Sequence, residues 1–195
     1  MKSLRSIYMK IFTNGASFAA GSFPQMIADH YNAELTNIAT VGYSNRSIWR
    51  TTIEYQPKEY DLAVLQFTSP SRTEYHDERK WIDVSAALAY KDTGQRRITP
   101  ERKEIWKYWY ENMYSDEYGD CEQNFAIEGL RDYFAVNETK CIIVTTDKFT
   151  RSKKFDFNIF DLNFPLDNTR HPTEEGHKII SDAIIKYYET FISWV

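Results

Sequence analysis

The stretch from Asp61 to Phe67, DLAVLQF, decides how the rest of the chain is read. It is a nearly continuous apolar run of strand length behind a polar start. A strand with one wet face alternates apolar and polar residues. A run without alternation fits a parallel strand covered on both faces. Such a strand needs helices above and below it. Just upstream, Asn45 to Tyr55 reads as one such helix, broken by Pro57.

Working outward, Tyr8 to Thr13 (YMKIFT) is a short β-type run ending in the turn signal Asn14-Gly15. Phe23 to Tyr31 carries Met26, Ile27 and Tyr31 on one side at helical spacing. Glu34 to Val41 reads as a second strand, stopped by Gly42. Lys140 to Thr146 (KCIIVTT) is another buried strand, and Phe155 to Phe160 a last one. Thr173 to Trp194 closes the chain as an amphipathic helix, with Ile179, Ile180, Ala183, Ile184 and Tyr187 as its apolar stripe. Pro172, Glu174 and Glu175 mark its N-terminus.

Strands alternating with helices predict a three-layer α/β/α fold around a central parallel sheet. A chain of 195 residues suits one domain. The segment at about 72–137 is too long for a simple crossover. Trp106, Tyr110 and Met113 stand at i, i+4 and i+7, which predicts a mostly helical insertion beside the C-terminal edge of the sheet.

Composition narrows the function classes. Net charge is −4, and Arg96, Arg97, Arg102 and Lys103 alternate with Glu101 and Glu104, which reads as a solvated helix face. Neither feature suits nonspecific nucleic-acid binding. No run approaches the ~20 apolar residues of a membrane helix. With no apolar segment after the basic N-terminus, the expected location is cytoplasmic. Cys121 and Cys141 are isolated and read as reduced thiols, with no metal spacing. Aromatic residues make up 16%, many between Trp81 and Tyr118, and fit either core packing or a sugar-stacking wall.

Two sites carry chemistry. Ser17 follows Gly15-Ala16 at the end of the first strand and precedes a helix. That position exposes its hydroxyl at the sheet edge near free helix N–H groups, although the same residue could simply cap the helix. Far downstream, Asp167-Asn168-Thr169-Arg170-His171-Pro172 lies just before the last helix. Pro172 restricts the backbone of His171, and a nearby Asp or Asn can set the ring's tautomer. His177 reads as helix surface or packing, and His30 and His76 as structural.

The order of these features resembles the SGNH (GDSL-type) hydrolase superfamily over segments 8–21, 37–48, 61–74 and 161–185. HPTEEGHKIISDAI, His171 to Ile184, carries the resemblance most specifically, and IATVGYSNRSI, Ile38 to Ile48, looks like the family's glycine block. The resemblance implies a flavodoxin-like fold and a Ser17–His171 pair with an acidic helper. It also implies an oxyanion hole from the N–H groups of Ser17 and Gly42 and a side chain after strand three. The chain departs from the family's pattern in three places. Ala16 replaces the aspartate of Gly-Asp-Ser. Phe67-Thr68-Ser69-Pro70 replaces the turn with the asparagine donor, leaving Thr68 or Ser69 for that role. The acid position three before the histidine is Asn168, with Asp167 one residue earlier.

The expected function is cleavage of short acyl esters, most plausibly acetyl, on a sugar or other polar alcohol, without metal or cofactor. The partner is then a small-molecule or glycan ester, not nucleic acid or membrane. Asn45 is a candidate for capping the helix after Gly42 or ordering its loop. Arg72 fits either a surface ion pair with Glu74 or a grip on an anionic or polar substrate group. Two other readings share these residues. One is an inactive relative that binds a glycan or protein. The other is a flavodoxin-like protein whose Asn14–Ser17 turn holds a phosphate.

Overall fold

The computed structural model describes residues 8–78, 80–90 and 98–192. Five parallel strands form the central sheet: β1 (Lys10–Gly15), β2 (Glu34–Asn37), β3 (Leu62–Phe67), β6 (Lys140–Thr145) and β7 (Phe157–Asn158), in the order β2-β1-β3-β6-β7. Chain direction across the sheet reverses between β1 and β3, which makes the crevice at their C-terminal ends the natural ligand position.

β3 sits at the centre and is buried along its whole length. Leu62 and Val64 face α1 (Phe23–Tyr31) and α6 (Glu174–Tyr187), where they meet Phe23, Ile27, Ile180 and Ile184. Ala63, Leu65 and Phe67 face α2 (Asn45–Tyr55) and α5 (Asp116–Val136), against Ile48, Ile127, Leu130 and Phe134. The period-two alternation of a strand thus divides one apolar run between two cores. Each buried Leu, Ile or Phe contributes roughly 1.5–3 kcal/mol through burial.

α1 and α2 occupy the predicted ranges, and β3 and β6 fall within one residue of theirs. β1 starts two residues later than expected. β2 stops at Asn37, although Ile38 and Thr40 still donate to the Thr13 and Gly15 carbonyls. The expected strand Phe155–Phe160 shortens to β7 and a 3₁₀ turn at Ile159–Asp161. α6 ends at Tyr187 and continues as a π turn, Tyr188–Ile192; Trp194 lies outside the described residues.

Segment 72–137 is mostly helical, with α3 (Ala86–Tyr90), α4 (Pro100–Asn112) and α5, but it also holds an antiparallel hairpin of β4 (Thr73–Asp77) and β5 (Lys80–Val84). α5 covers the sheet itself. The hairpin, α3 and α4 share a separate small core of Ile82, Val84 and Ile98, with Trp106 and Tyr110 packed on it. Met113 is exposed, so the expected apolar stripe of α4 ends at Tyr110. The hairpin docks on α2 through acids. Arg50 binds Glu74 at 2.9 Å, and the Ser47 hydroxyl sits 2.6 Å from a carboxylate oxygen of both Glu74 and Asp83.

One of the sequence alternatives needs correction here. Glu74 pairs with Arg50, not with Arg72. Arg102, on a helix with no buried residue, forms a bidentate pair with Asp77 beside the Tyr75 ring. Arg96 and Arg97 lie outside the described residues. His177 is buried, stacked at 6.1 Å on Phe23, with its Nδ1 unpartnered. Burial holds its pKa below the ordinary value. Cys121 and Cys141 are free thiols, and burial pushes Cys141 upward. Among the described residues, no helix is long and apolar enough to cross a membrane.

Candidate active site

Ser17 lies just beyond β1 in a single helical turn, where Ala20 donates to the Ala16 carbonyl at 3.1 Å. α1 begins six positions later, behind Ser22. Ser17 therefore caps no helix, and the expected helix N-terminus behind it is absent. The turn is held from below by side chains that the sequence reading passed over. The Gln66 amide oxygen accepts from the N–H groups of Ala16 (3.0 Å) and Ala19 (3.3 Å). Its amide nitrogen donates to the Phe67 carbonyl and the Thr146 hydroxyl. Asn14, fully buried, accepts from the Gly15 N–H and donates toward α2 at Ile48, Thr51 and Thr52. Asn37 donates to the Ala19 carbonyl at 2.9 Å. The signal for Gln66 was in the sequence: it is the single polar residue inside LAVLQF, and a buried polar side chain is kept only with partners.

Gly42 closes the turn after β2, with φ at 92° in the region that favours glycine. Among the described residues, neither the Ser17 N–H nor the Gly42 N–H meets an acceptor. Thr68 follows β3. Its N–H donates to Asn45 Oδ1 at 2.8 Å, and Asn45 Nδ2 returns a bond to the Thr68 carbonyl at 2.9 Å. Asn45 is thus a clamp across to the β3 edge, while Ser44 caps α2. The Thr68 hydroxyl has no hydrogen bond among the described residues, whereas Ser69 shares one with Ser71 at 3.0 Å. Ser17, Gly42 and Thr68 follow three neighbouring parallel strands and so stand along one edge of the sheet.

His171 belongs to a tight loop closed by the bridge between Leu166 and Pro172 and by the Asp167 N–H on the His171 carbonyl at 2.8 Å. Arg170 takes a left-handed φ of 64° to make the turn. The imidazole packs 5.9 Å from the Phe18 ring, one residue past Ser17. Asp167 makes no hydrogen bond to the ring. Thr169 stands between them: its hydroxyl is 2.9 Å from His171 Nδ1 and 2.7 Å from Asp167 Oδ1. The Asp167 carboxylate also accepts the N–H groups of Thr169 and His171. These donors, the Thr169 hydroxyl first, hold Asp167 below its ordinary pKa. An ionised carboxylate only accepts. The Thr169 proton therefore goes to Asp167, and the Thr169 oxygen must accept from His171. In a neutral imidazole Nδ1 then carries the hydrogen and Nε2 keeps its lone pair. Asn168 is exposed and makes no hydrogen bond among the described residues.

No hydrogen bond joins Ser17 to His171; bonds between catalytic groups commonly tighten only once substrate is bound. Among the described residues, no group of His, Cys, Asp and Glu is arranged to hold a metal.

No protein-family model matches the chain, and no curated protein sequence matches it. Solved structures do resemble it. One is a carbohydrate esterase whose active site displays divergent catalytic and non-catalytic binding functions (TM-score 0.57, 9% identity, 99% of this chain and 72% of that one). A second is an acetyl xylan esterase from the rumen bacterium Butyrivibrio proteoclasticus (0.51, 11%, 97% and 66%). A third is assigned to the G-D-S-L lipolytic family, from Desulfitobacterium hafniense (0.53, 8%, 92% and 99%). At these identities the likeness is one of fold: a mixed α/β domain of the SGNH-hydrolase, flavodoxin-like type.

Proposed function

We propose that this protein is a serine esterase that removes short acyl groups, acetyl above all, from a sugar or other polar alcohol. The observation that carries the reading is the Asp167–Thr169–His171 relay, which leaves Nε2 as the basic atom beside the turn of Ser17. Nε2 takes the Ser17 proton as Oγ bonds to the ester carbonyl carbon. The oxyanion is met by the free N–H groups of Ser17 and Gly42 and by the Thr68 hydroxyl. Nε2 then gives its proton to the leaving alcohol as the C–O bond breaks. Water attacks the acyl carbon, passing its proton through Nε2 back to Ser17. Asp167 stays ionised and supports the imidazolium through Thr169. The choice of a sugar ester draws on two fold neighbours that are carbohydrate esterases, an argument by analogy.

Thr169 is a positioning residue that the sequence reading did not weigh. Thr169→Val should lower kcat for p-nitrophenyl acetate by roughly tenfold to hundredfold with KM little changed, a part of the ~10²–10⁴ a general base contributes. Thr169→Ser, which keeps the hydroxyl, should retain most of the rate. Unchanged turnover in Thr169→Val would remove the relay from the mechanism. A second reading, binding without hydrolysis, is favoured by the missing Ser17–His171 hydrogen bond. It predicts that the wild type releases p-nitrophenol no faster than buffer.

A further inference from the structure

Ala16 opens the turn that carries Ser17: its carbonyl accepts from the Ala20 N–H. A residue at that place commonly offers a side-chain oxygen to the N–H groups that follow it. Ala16 has none to offer. The acceptor comes from the neighbouring strand instead. Gln66, buried one residue before the end of β3, puts Oε1 3.0 Å from the Ala16 N–H and 3.3 Å from the Ala19 N–H, one before Ser17 and one after it. Gly15 lies opposite Gln66 in the sheet, and a Cβ there would stand 2.9 Å from the Gln66 Cβ. The bare glycine lets the amide reach across to the turn.

The other end of the amide is engaged as well. Nε2 donates to the Phe67 carbonyl at 2.7 Å and to the Thr146 hydroxyl at 3.0 Å, and that hydroxyl gives its own proton to the Phe67 carbonyl. The partners fix which end is which, because the two N–H groups can only donate and the carbonyl can only accept. All four hydrogen-bonding places of the amide are filled. The Phe67 carbonyl belongs to the peptide that leads into Thr68, whose N–H is held by Asn45. One buried side chain therefore joins the Ser17 turn to the Thr68 turn. It takes the N–H groups of Ala16 and Ala19, while that of Ser17 meets no acceptor among the described residues.

We propose that Gln66 is a positioning residue for the reaction: it sets the spacing between the Ser17 N–H and Thr68, and so shapes the oxyanion site through the backbone. The amide is essential to that role. An ionised glutamate of the same size only accepts, so its second oxygen would face the Phe67 carbonyl with no proton between them. A protonated glutamate donates once and restores the bond to Phe67. The catalytic role of Gln66 rests on the esterase reading; its hold on the turn does not.

The test measures kcat and KM for p-nitrophenyl acetate in the wild type, Gln66→Met and Gln66→Glu, at a temperature where all three are folded. Backbone amide exchange at Ala16 and Ala19 is followed by NMR in the same proteins. Gln66→Met keeps the length of the side chain and loses both polar ends. It should lower kcat by about 10²-fold with KM little changed, the scale of one oxyanion donor or of a ~1 Å misplacement. Exchange at Ala16 and Ala19 should quicken by roughly threefold to tenfold, the size of one hydrogen bond. Gln66→Glu should be slow at about pH 9 and regain rate towards about pH 5, the range over which buried glutamates take up a proton. Its rate is read as a ratio to the wild type at each pH, so that titrations common to both proteins cancel. This arm stands even where Gln66→Met does not fold, because the protonated glutamate keeps both the size and the bonds. Wild-type kcat in Gln66→Met, or a ratio for Gln66→Glu that does not change with pH, would overturn the proposal while leaving the esterase intact. A wild type inert toward p-nitrophenyl acetate would refute the esterase and the catalytic role together, and faster exchange in Gln66→Met would then still place Gln66 as the hold on the turn.

Discussion

Ser17→Ala and His171→Ala are each expected to lower turnover of p-nitrophenyl acetate by about 10³-fold or more, and the double variant no further than either single one. In the proposed mechanism the two residues act as a unit: without the base the hydroxyl keeps its proton, and without the hydroxyl the base has no nucleophile to activate. Such pairs are strongly non-additive. Neither variant should unfold. Ser17 makes no hydrogen bond among the described residues, and the His171 loop is closed by backbone bonds that do not involve the ring. Melting temperatures within a few degrees of the wild type, together with the lost rate, would separate chemistry from stability. A residual rate would be slow for another reason. The turn that carries the asparagine donor in the resembling family is Phe67-Thr68-Ser69-Pro70 here, and loss of one oxyanion donor costs ~10²–10³ in turnover.

Gly15→Ala is expected to have the second-largest effect, through structure. A Cβ on Gly15 would stand 2.8 Å from the Gln66 carbonyl oxygen, 2.9 Å from the Gln66 Cβ and 2.8 Å from the Ala19 Cβ. These atoms belong to β3 and to the turn of Ser17, where Gly15 pairs with Gln66 in the sheet. Nothing there is the loose end of a side chain, so β1 and β3 must separate or the turn must shift. The expected cost is about 3 kcal/mol, the upper part of the usual overpacking range. For a domain of this size that lowers the melting temperature by roughly 6–12 °C. Turnover should fall as well, by about 10²-fold, the effect of a ~1 Å misplacement of a reacting group. Gly129→Ala is the control. Its Cβ would meet only Trp49 Nε1 at 3.5 Å on the exposed side of α5, so it should be neutral or stabilise by up to ~1 kcal/mol. Equal melting of Gly15→Ala and wild type would contradict the packing described here.

The sheet was legible because its buried strands carry their own signal. DLAVLQF and KCIIVTT could be read as covered on both faces from their apolar runs alone. The hairpin Thr73–Val84 was not, because its strands TEYHD and KWIDV are largely polar and dock on α2 through Arg50 and Ser47. The candidate site divides in the same way. Ser17, Gly42 and His171 stand at chain positions a sequence can mark: ends of strands and the start of a helix. Thr169 does not. Its contact with Nδ1 needs Arg170 in a left-handed turn, which no spacing rule announces. Arg72 was visible as a charge after the turn. Glu74, two residues away, looked like its partner but pairs across the fold with Arg50.

In the proposed mechanism Ser17 is an activated nucleophile. Its most direct test is to treat the folded wild type with a fluorophosphonate and map the adduct by peptide mass spectrometry. One phosphonylated residue, Ser17, is expected, with a far slower reaction in His171→Ala under the same conditions. A wild type that stays unmodified at Ser17, or that reacts there equally fast without His171, would contradict it.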